Sequence, residues 1–117
     1  MTRRNKYGTA PATALQVQVR EYCREIGLLQ PIPEYPCIPG RKHRLDYAWP
    51  DHRVGLEIDG GLFTGGRHGG SPSAVRDVWK RNVLTVQGWR VIHVAPSQLW
   101  KPITWAWLQA LLTRPAS

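Results

Sequence analysis

The segment "RVGLEIDGGLF", residues 53–63, constrains the fold more than any other part of the chain. Its apolar side chains alternate with other residues, as in a β-strand that buries one face: Val54, Leu56 and Ile58. The opposite face carries Glu57 and Asp59, because side chains two positions apart on a strand point to the same side. Two carboxylates about 4–5 Å apart repel by roughly 3–4 kcal/mol at an effective dielectric constant near 20. A strand with this pair therefore needs a cation beside it.

The charge balance of the chain indicates an anionic partner. Its 117 residues, enough for one hydrophobic core, include 16 Lys and Arg against 8 Asp and Glu, a formal net charge of +8. Such an excess is typical of proteins that bind nucleic acid. We expect a basic N-terminal arm over residues 1–10 and a single domain over residues 11–117.

Two further features bear on cellular location. No apolar run reaches the length of about 18 residues that a membrane span needs, and the N-terminal residues lack the apolar middle of a secretory signal. Cys23 and Cys37 do not have zinc-binding spacing, which predicts reduced thiols in a cytoplasmic protein, with a disulfide between them left open. We expect no contact with membranes.

Hydrophobic periodicity and turn residues predict the element order αββαβα. In chain order we expect a helix over 11–28, a proline-rich extended connector or edge segment over 29–40, a hairpin over 44–59, a helix over 71–88, a strand over 89–95 and a helix over 103–114. The first helix is expected to begin near Pro11 and to bury Leu15, Val19, Tyr22, Cys23 and Ile26. The second is expected to be capped by Ser71 or Ser73 and to bury Val75, Val78, Trp79, Val83 and Val86. This order predicts an α/β sandwich with a mixed central sheet flanked by helices.

The predicted hairpin brings three acidic residues together. Because its turn lies near residue 51, antiparallel pairing places Asp46 roughly opposite residues 56–58. One face then holds Asp46 together with Glu57 and Asp59. The core face is expected to contain Leu45, Tyr47, Val54, Leu56 and Ile58. Either Lys and Arg side chains or a divalent metal supplies the counter-charge, and carboxylate oxygens select Mg²⁺ or Mn²⁺ over zinc.

The helix that follows carries a cation suited to this site. Lys80 lies three residues after Asp77, with Arg76 and Arg81 nearby. A lysine beside a metal-bound water can orient that water or stabilise charge on a phosphate. An ordinary i,i+3 ion pair between Asp77 and Lys80, worth about 0.3 kcal/mol, accounts for the same two residues equally well.

Three stretches of the sequence form a larger pattern, which spans about residues 34–96: "LDYAWPDHRVGLEIDGGLFTGGRH", "RDVWKRN" and "GWRVIHV". They resemble small phage-type members of the PD-(D/E)XK nuclease superfamily, and are similar to very-short-patch repair endonucleases and, in size and basicity, to archaeal-type Holliday junction resolvases. The resemblance implies a single-domain, restriction-endonuclease-like sandwich. It also implies a DNA endonuclease of repair or recombination that hydrolyses phosphodiester bonds with Mg²⁺ or Mn²⁺.

The resemblance also implies roles for individual residues. Asp46, Glu57 and the backbone carbonyl of Ile58 would hold the metal, Asp59 would take a second metal or a water, and Lys80 would stabilise the developing charge. Two departures from the family pattern matter. The usual E-x-K lysine is Asp59 here, so Lys80 has to replace it from the helix. A glutamate common in the first helix of relatives is missing, and Gln16 or Gln18 occupies the comparable turn. The candidates to line the site are Gln16, Asp77 and His68, and for His68 simple exposure in a glycine-rich loop is the alternative.

Basic residues on both sides of the acidic cluster are expected to bind DNA: Arg41, Lys42, His43, Arg44, Arg67, Arg76 and Arg81. The alternative for the run at 41–44 is a solvated entry to a strand. His52 and His93 are expected to be structural. Trp100, Trp105 and Trp107 are expected to fill a core or a dimer interface, with stacking on bases as the alternative.

A Holliday junction resolvase is the favoured function, because a single basic domain with no evident sequence-reading module suits recognition of shape. Symmetric cleavage of a four-way junction also needs a homodimer. A mismatch-nicking endonuclease is one alternative, although the structural zinc site expected of it is missing. A non-catalytic DNA-binding module is favoured by the missing E-x-K lysine and disfavoured by the Asp46 and Glu57 pair. A basic adaptor for other proteins has only the tryptophan-rich C-terminal segment in its support.

Overall fold

The computed structural model describes residues 11–59 and 72–113, and these form a small mixed α/β domain. Its helices are α1 (Ala14–Ile26), α2 (Pro72–Val86) and α3 (Pro102–Thr113). Its strands are β1 (Ile32–Pro36), β2 (Arg44–Trp49), β3 (Val54–Ile58) and β4 (Arg90–Val94). Short 3₁₀ turns at Pro50–His52 and Pro96–Gln98 complete the described elements. No helix in these two ranges is long and apolar enough to cross a membrane.

The four strands form one mixed sheet in the order β1-β2-β3-β4. The β1/β2 and β2/β3 pairs are antiparallel and the β3/β4 pair is parallel. The proline-rich connector supplies β1, which adds a strand to the predicted order. Pro33 and Pro36 lack an N–H group and are tolerated there because β1 lies at the edge of the described sheet.

The structure confirms the predicted hairpin. Tyr47 lies opposite Leu56 and Trp49 opposite Val54, so the next position along places Asp46 opposite Glu57. The turn is a 3₁₀ turn that ends at Arg53, whose φ of 52° is left-handed. The hairpin therefore fixes the relative position of the two acidic residues through local geometry.

Two buried clusters pack against opposite sides of β3. The first contains residues of α1, α3 and the strands: Val19, Cys23, Tyr47, Trp49, Val54, Leu56, Val94, Leu99, Trp105, Leu108 and Leu112. The second contains Cys37, Ile38, Leu45, Ala48 and Leu84. A Cβ atom at Gly55 would lie 3.0 Å from a methyl carbon of Leu45, so glycine permits the close approach of the second cluster. Cys23 and Cys37 are free thiols in different clusters, which settles the open question of a disulfide between them.

The prediction that Leu45 shares the core face of Tyr47 is wrong, because Leu45 packs in the second cluster with Ala48. The alternation is broken at Asp46. The backbone N–H of Asp46 donates to a carboxylate oxygen of Glu57, and the Asp46 carboxylate accepts from the backbone of Ile58. Side-chain hydrogen bonds thus join the two strands at the step beyond the last backbone pair.

The first helix begins later than predicted. Thr13 is its N-cap, and Thr13 and Gln16 form a capping box in which each side chain accepts from the other's backbone N–H. Leu15 and Ile26, predicted to be buried, are exposed, whereas Gln16 is buried. Capping therefore decides both where α1 starts and which of its polar residues is buried.

The buried face of the second helix also differs from the prediction. Val75, Val78, Trp79 and Val86 are exposed. Within residues 75–86, three side chains are buried or half-buried: Lys80, Val83 and Leu84. Their i, i+3, i+4 spacing places them on one stripe of the helix. The helix is thus rotated so that Lys80 faces the sheet. Ser71, and the side chain of Ser73, lie outside the described residues, as do any capping contacts they make.

Candidate functional site

Asp46 and Glu57 meet where the β2/β3 ladder changes from backbone to side-chain hydrogen bonds. The backbone N–H of Asp46 donates to Glu57 Oε2 at 3.3 Å, and the backbone N–H of Ile58 donates to Asp46 Oδ2 at 2.7 Å. Each carboxylate is therefore oriented by a main-chain donor of the opposite strand. This arrangement fixes two acidic side chains on rigid elements, as a binding or catalytic site requires.

Lys80 of α2 contacts this pair directly. Its Nζ donates to Glu57 Oε1 and to the backbone carbonyl of Arg44, the latter at 2.5 Å. The Lys80 side chain is 17% exposed and that of Glu57 is 11% exposed, so the ion pair is shielded from bulk water. Asp77, the alternative partner expected from the sequence, is an exposed residue. The ion pair of Lys80 is thus with Glu57.

The environment of Glu57 raises the pKa of its carboxyl group from 4.5 to about 7. Burial is the largest cause, since a charged carboxylate loses hydration inside the protein. The hydrogen bond from Lys80 lowers the pKa, and the hydrogen bond and negative charge of Asp46 raise it. The cation of Lys80 therefore offsets only part of the cost of ionising Glu57.

Asp59 is a third acidic residue near this pair, and it directly follows the last residue of β3. Its backbone N–H donates to the carbonyl of Val94 at 2.7 Å, which extends the β3/β4 pairing by one step. Its Oδ2 lies 2.6 Å from Nδ1 of His93 and 3.9 Å from Nη2 of Arg81. His93, expected to be structural, thus contacts a residue of the candidate site. Sequence reasoning missed this contact because nothing in the sequence fixes which strand pairs with β4, or in which register.

The basic segment 41–44 lies beside the site and along α2. The guanidinium carbon of Arg41 lies 5.0 Å from the ring centroid of Trp79, and the ring of His43 lies 5.4 Å from the same ring. Arg44 Nη1 donates a hydrogen bond to the carbonyl of Glu34 at 3.0 Å, and the Arg44 carbonyl accepts one from Lys80 Nζ. Lys42 and Arg76 are exposed.

No described contact brings Gln16 or the exposed Asp77, both predicted to line the site, to the acidic pair. Gln16 caps α1, and its side-chain oxygen accepts from the backbone N–H of Thr13 at 3.0 Å. Arg67 and His68 lie outside the described residues, and their predicted roles stay predictions. The structure thus places Asp46, Glu57 and Lys80 together, with Asp59, Arg81 and His93 at the adjoining end of the sheet.

Oxygen atoms make up the possible metal ligands of this site. The carboxylates of Asp46 and Glu57 and the backbone carbonyl of Ile58 are the donors that the sequence predicts. Within residues 11–59 and 72–113, no group of three or more His, Cys, Asp or Glu side chains is placed to hold a metal ion. Among the described side chains, the carboxylates of Asp46 and Glu57 are thus the possible metal ligands at this position.

Comparison with protein-family models, with curated proteins and with solved structures gave no match. The geometry and chemistry of the side chains therefore carry the functional interpretation.

Proposed function

We propose that this protein is a Mg²⁺-dependent, structure-specific DNA endonuclease of the PD-(D/E)XK superfamily, with a restriction-endonuclease-like sandwich fold. One observation carries the proposal: Lys80 reaches Glu57 from α2. The sequence has Asp59 where the superfamily has its lysine, and Lys80 brings an ammonium group to the same carboxylate pair from a different element. Metal-assisted phosphodiester hydrolysis uses carboxylates that bind the metal and a cation that stabilises negative charge on the phosphate, and this site has both.

The donor set fits Mg²⁺ or Mn²⁺. Mg²⁺ is commonly held by one or two carboxylates, with waters and substrate phosphate oxygens as the remaining ligands, so a pair is sufficient. Asp46, Glu57 and the Ile58 carbonyl would hold the ion. Burial is the largest cause of the raised pKa of Glu57, and a cation bound beside the pair would favour the ionised carboxylate. Bound there, the ion supplies charge that polarises a phosphodiester and lowers the pKa of water.

The chain's own residues have separable tasks in this mechanism. Asp46 and Glu57 are held by main-chain donors and so need little reorganisation when substrate arrives. Lys80, anchored by the Arg44 carbonyl, stabilises negative charge that develops on the phosphate. Asp59, held by His93, holds a water or a second cation at the end of β3. The basic residues at 41–44 bind the phosphates that flank the cleaved one.

Within this class we favour a Holliday junction resolvase that acts as a homodimer on branched DNA in the cytoplasm, which is that of a bacterial host if the protein is phage-encoded. The net charge of +8 on a small domain supports a large polyanionic ligand. A four-way junction has two-fold symmetry, and paired cuts need two active sites. A mismatch-nicking endonuclease and a DNA-binding module without activity are the competing functions, and the experiment below separates all three.

The test is cleavage of labelled four-way junction, flap, mismatched duplex and plain duplex in Mg²⁺ or Mn²⁺. Glu57→Gln and Lys80→Met are the site variants, and Glu25→Gln on the exposed side of α1 is the matched control. DNA binding is followed separately in Ca²⁺. We expect paired symmetric nicks at the junction, a loss of at least about 100-fold in rate for both site variants, and an unchanged rate for the control.

Other outcomes identify the competing functions. Single nicks confined to the mismatched duplex would replace the resolvase with a mismatch-nicking enzyme. Tight binding without cleavage in either metal would overturn the enzyme proposal and favour the non-catalytic DNA-binding module. Cleavage that survives Glu57→Gln would mean that the reaction occurs at a different site.

A further inference from the structure

Trp79 is an exposed aromatic residue directly beside the candidate site. It is 40% exposed, although tryptophan is among the most apolar side chains and the sequence pattern predicted it to be buried. It immediately precedes Lys80 on α2. Consecutive residues of a helix point about 100° apart, so Lys80 faces the acidic pair while Trp79 faces solvent next to it.

The contacts of segment 41–44 connect Trp79 to the acidic pair. Arg41 and His43 lie against the Trp79 ring, and the carbonyl of Arg44 accepts a hydrogen bond from Lys80. Segment 41–44 thus contacts the ring through two side chains and the Lys80 ammonium group through the carbonyl of Arg44. The ring therefore has a fixed position relative to Glu57, which Lys80 also contacts.

The charge around the ring favours a nucleic-acid strand over an apolar partner. Arg41, Lys42 and Arg44 are exposed cations of the segment that borders the ring, and Arg76 is an exposed cation of α2. An aromatic face with cations beside it matches a nucleotide, whose base stacks on the ring while its phosphates contact the cations. A partner protein that buried this surface would have to desolvate the same cations.

We propose that Trp79 is a stacking platform for an unpaired base, and that the substrate is DNA with an unpaired nucleotide next to the cleaved phosphate. This inference rests on the proposed function for the position of that phosphate. In an intact duplex both faces of a base are covered by its neighbours, so such a base has no free face to offer Trp79. Flaps, frayed ends and single strands do present free faces, and a four-way junction presents them where the base pairs at its centre open. Arg41 lies over the Trp79 ring, so stacking of a base on that face requires its exposed side chain to leave the ring, where it can contact a phosphate.

The test measures binding of two probes, a labelled short oligothymidine strand and a labelled plain duplex, by fluorescence anisotropy in Ca²⁺. Trp79→Ala removes the ring and Trp79→Phe keeps a smaller one. Val86→Ala is the matched control, because Val86 is an apolar residue that is 87% exposed at the far end of the same helix. Circular dichroism spectra check that each variant is folded.

We expect Trp79→Ala to weaken binding of the single strand by about 5- to 100-fold and binding of the duplex by less than about twofold. Trp79→Phe should recover most of the loss, and the control should change neither probe. Equal losses on both probes, or no loss on the single strand, would overturn the stacking proposal. A loss for both Trp79→Ala and the control would overturn it as well.

The two proposals fail in different ways. If the wild-type protein cuts no DNA in Mg²⁺ but Trp79→Ala still weakens single-strand binding selectively, the nuclease proposal fails and the stacking site stands. If the protein cuts DNA and Trp79→Ala affects both probes alike, the stacking site fails and the nuclease proposal stands.

Discussion

Glu57 is a buried carboxylate whose neighbours have opposite effects on its ionisation. It is buried, it lies beside a second carboxylate, and it contacts one ammonium group. Burial of a charge is costly unless the charge is paired, and removing one partner of a buried pair costs more than the pair itself contributes. Substitutions around Glu57 therefore report on the electrostatics of the site independently of any activity.

Lys80→Met should raise the pKa of Glu57 above its wild-type value of about 7, because the nearest positive charge is removed. The measurement is a pH titration of the Glu57 side-chain carboxyl by ¹³C NMR, without metal. Lys80→Arg keeps the charge and is the control, with a smaller change expected. A pKa that falls in Lys80→Met would contradict the ion pair described here.

The free energy of unfolding should fall as pH rises from about 4.5 to 7. The folded state binds a proton at Glu57 up to about pH 7, whereas the unfolded chain releases it near 4.5, so deprotonation opposes folding across this range. The shift corresponds to about 3 kcal/mol. In Glu57→Gln this contribution disappears, so urea unfolding at pH 4.5 and at pH 8 should give a smaller difference for the variant than for the wild type. An equal pH dependence in both proteins would show that Glu57 is not the responsible group.

At the level of elements, capping determined where α1 begins and packing determined which stripe of α2 is buried. The apolar pattern of the sequence specified neither. The hairpin formed as predicted because its alternation and its turn are local features of the sequence. The helix α2 was predicted, but its buried stripe was not. The sequence offers an apolar stripe through Val75, Val78 and Val86, and the second cluster accepts Leu84 instead. A helix can rotate among such stripes at little local cost, so the sheet that it packs against decides which one is buried.

Thr13→Ala should lower the free energy of unfolding by about 1 kcal/mol, because it removes the side chain that accepts from the Gln16 backbone at the start of α1. The measurement is urea unfolding. Thr113→Ala at the exposed end of α3 is the matched control, with a change below about 0.5 kcal/mol expected.

Gln16→Ala separates two roles of the same residue. If Gln16 serves only the capping box, this variant should lose stability like Thr13→Ala and keep full cleavage activity at a temperature where it is folded. A loss of activity in Gln16→Ala that Thr13→Ala does not share would support the predicted role of Gln16 in lining the site.

At the level of the whole molecule, net charge is the dominant property. Eight more basic than acidic residues on one small domain give long-range attraction to polyanions, and salt screens this attraction. Asp46 and Glu57 are acidic exceptions in this charge balance, and Lys80 pairs with Glu57.

DNA binding in Ca²⁺ should weaken steeply with salt, by a slope of about 0.9 log units in affinity per log unit of salt for each phosphate neutralised. Lys42→Ala removes an exposed cation beside the site. It should reduce the slope by about 0.9 log units, the contribution of one phosphate contact. The same change at Lys101, which precedes α3, should leave the slope unchanged. Equal effects at both positions would mean that charge in general, and not the segment at 41–44, determines binding.

The sequence by itself determined the types of six of the seven described helices and strands, the hairpin and the meeting of Asp46 with Glu57. These depend on periodicity, turn residues and pairing across a short turn, all of which are short-range. It also identified Lys80 as a candidate, because the residue type and its helix can be read from the sequence.

Only the tertiary structure decided that Lys80 contacts Glu57, that His93 contacts Asp59 and that Trp79 stays exposed. These three results depend on the rotation of α2 and on the parallel pairing of β3 with β4. Both are set by long-range packing of the two clusters, for which no local pattern in the chain is sufficient.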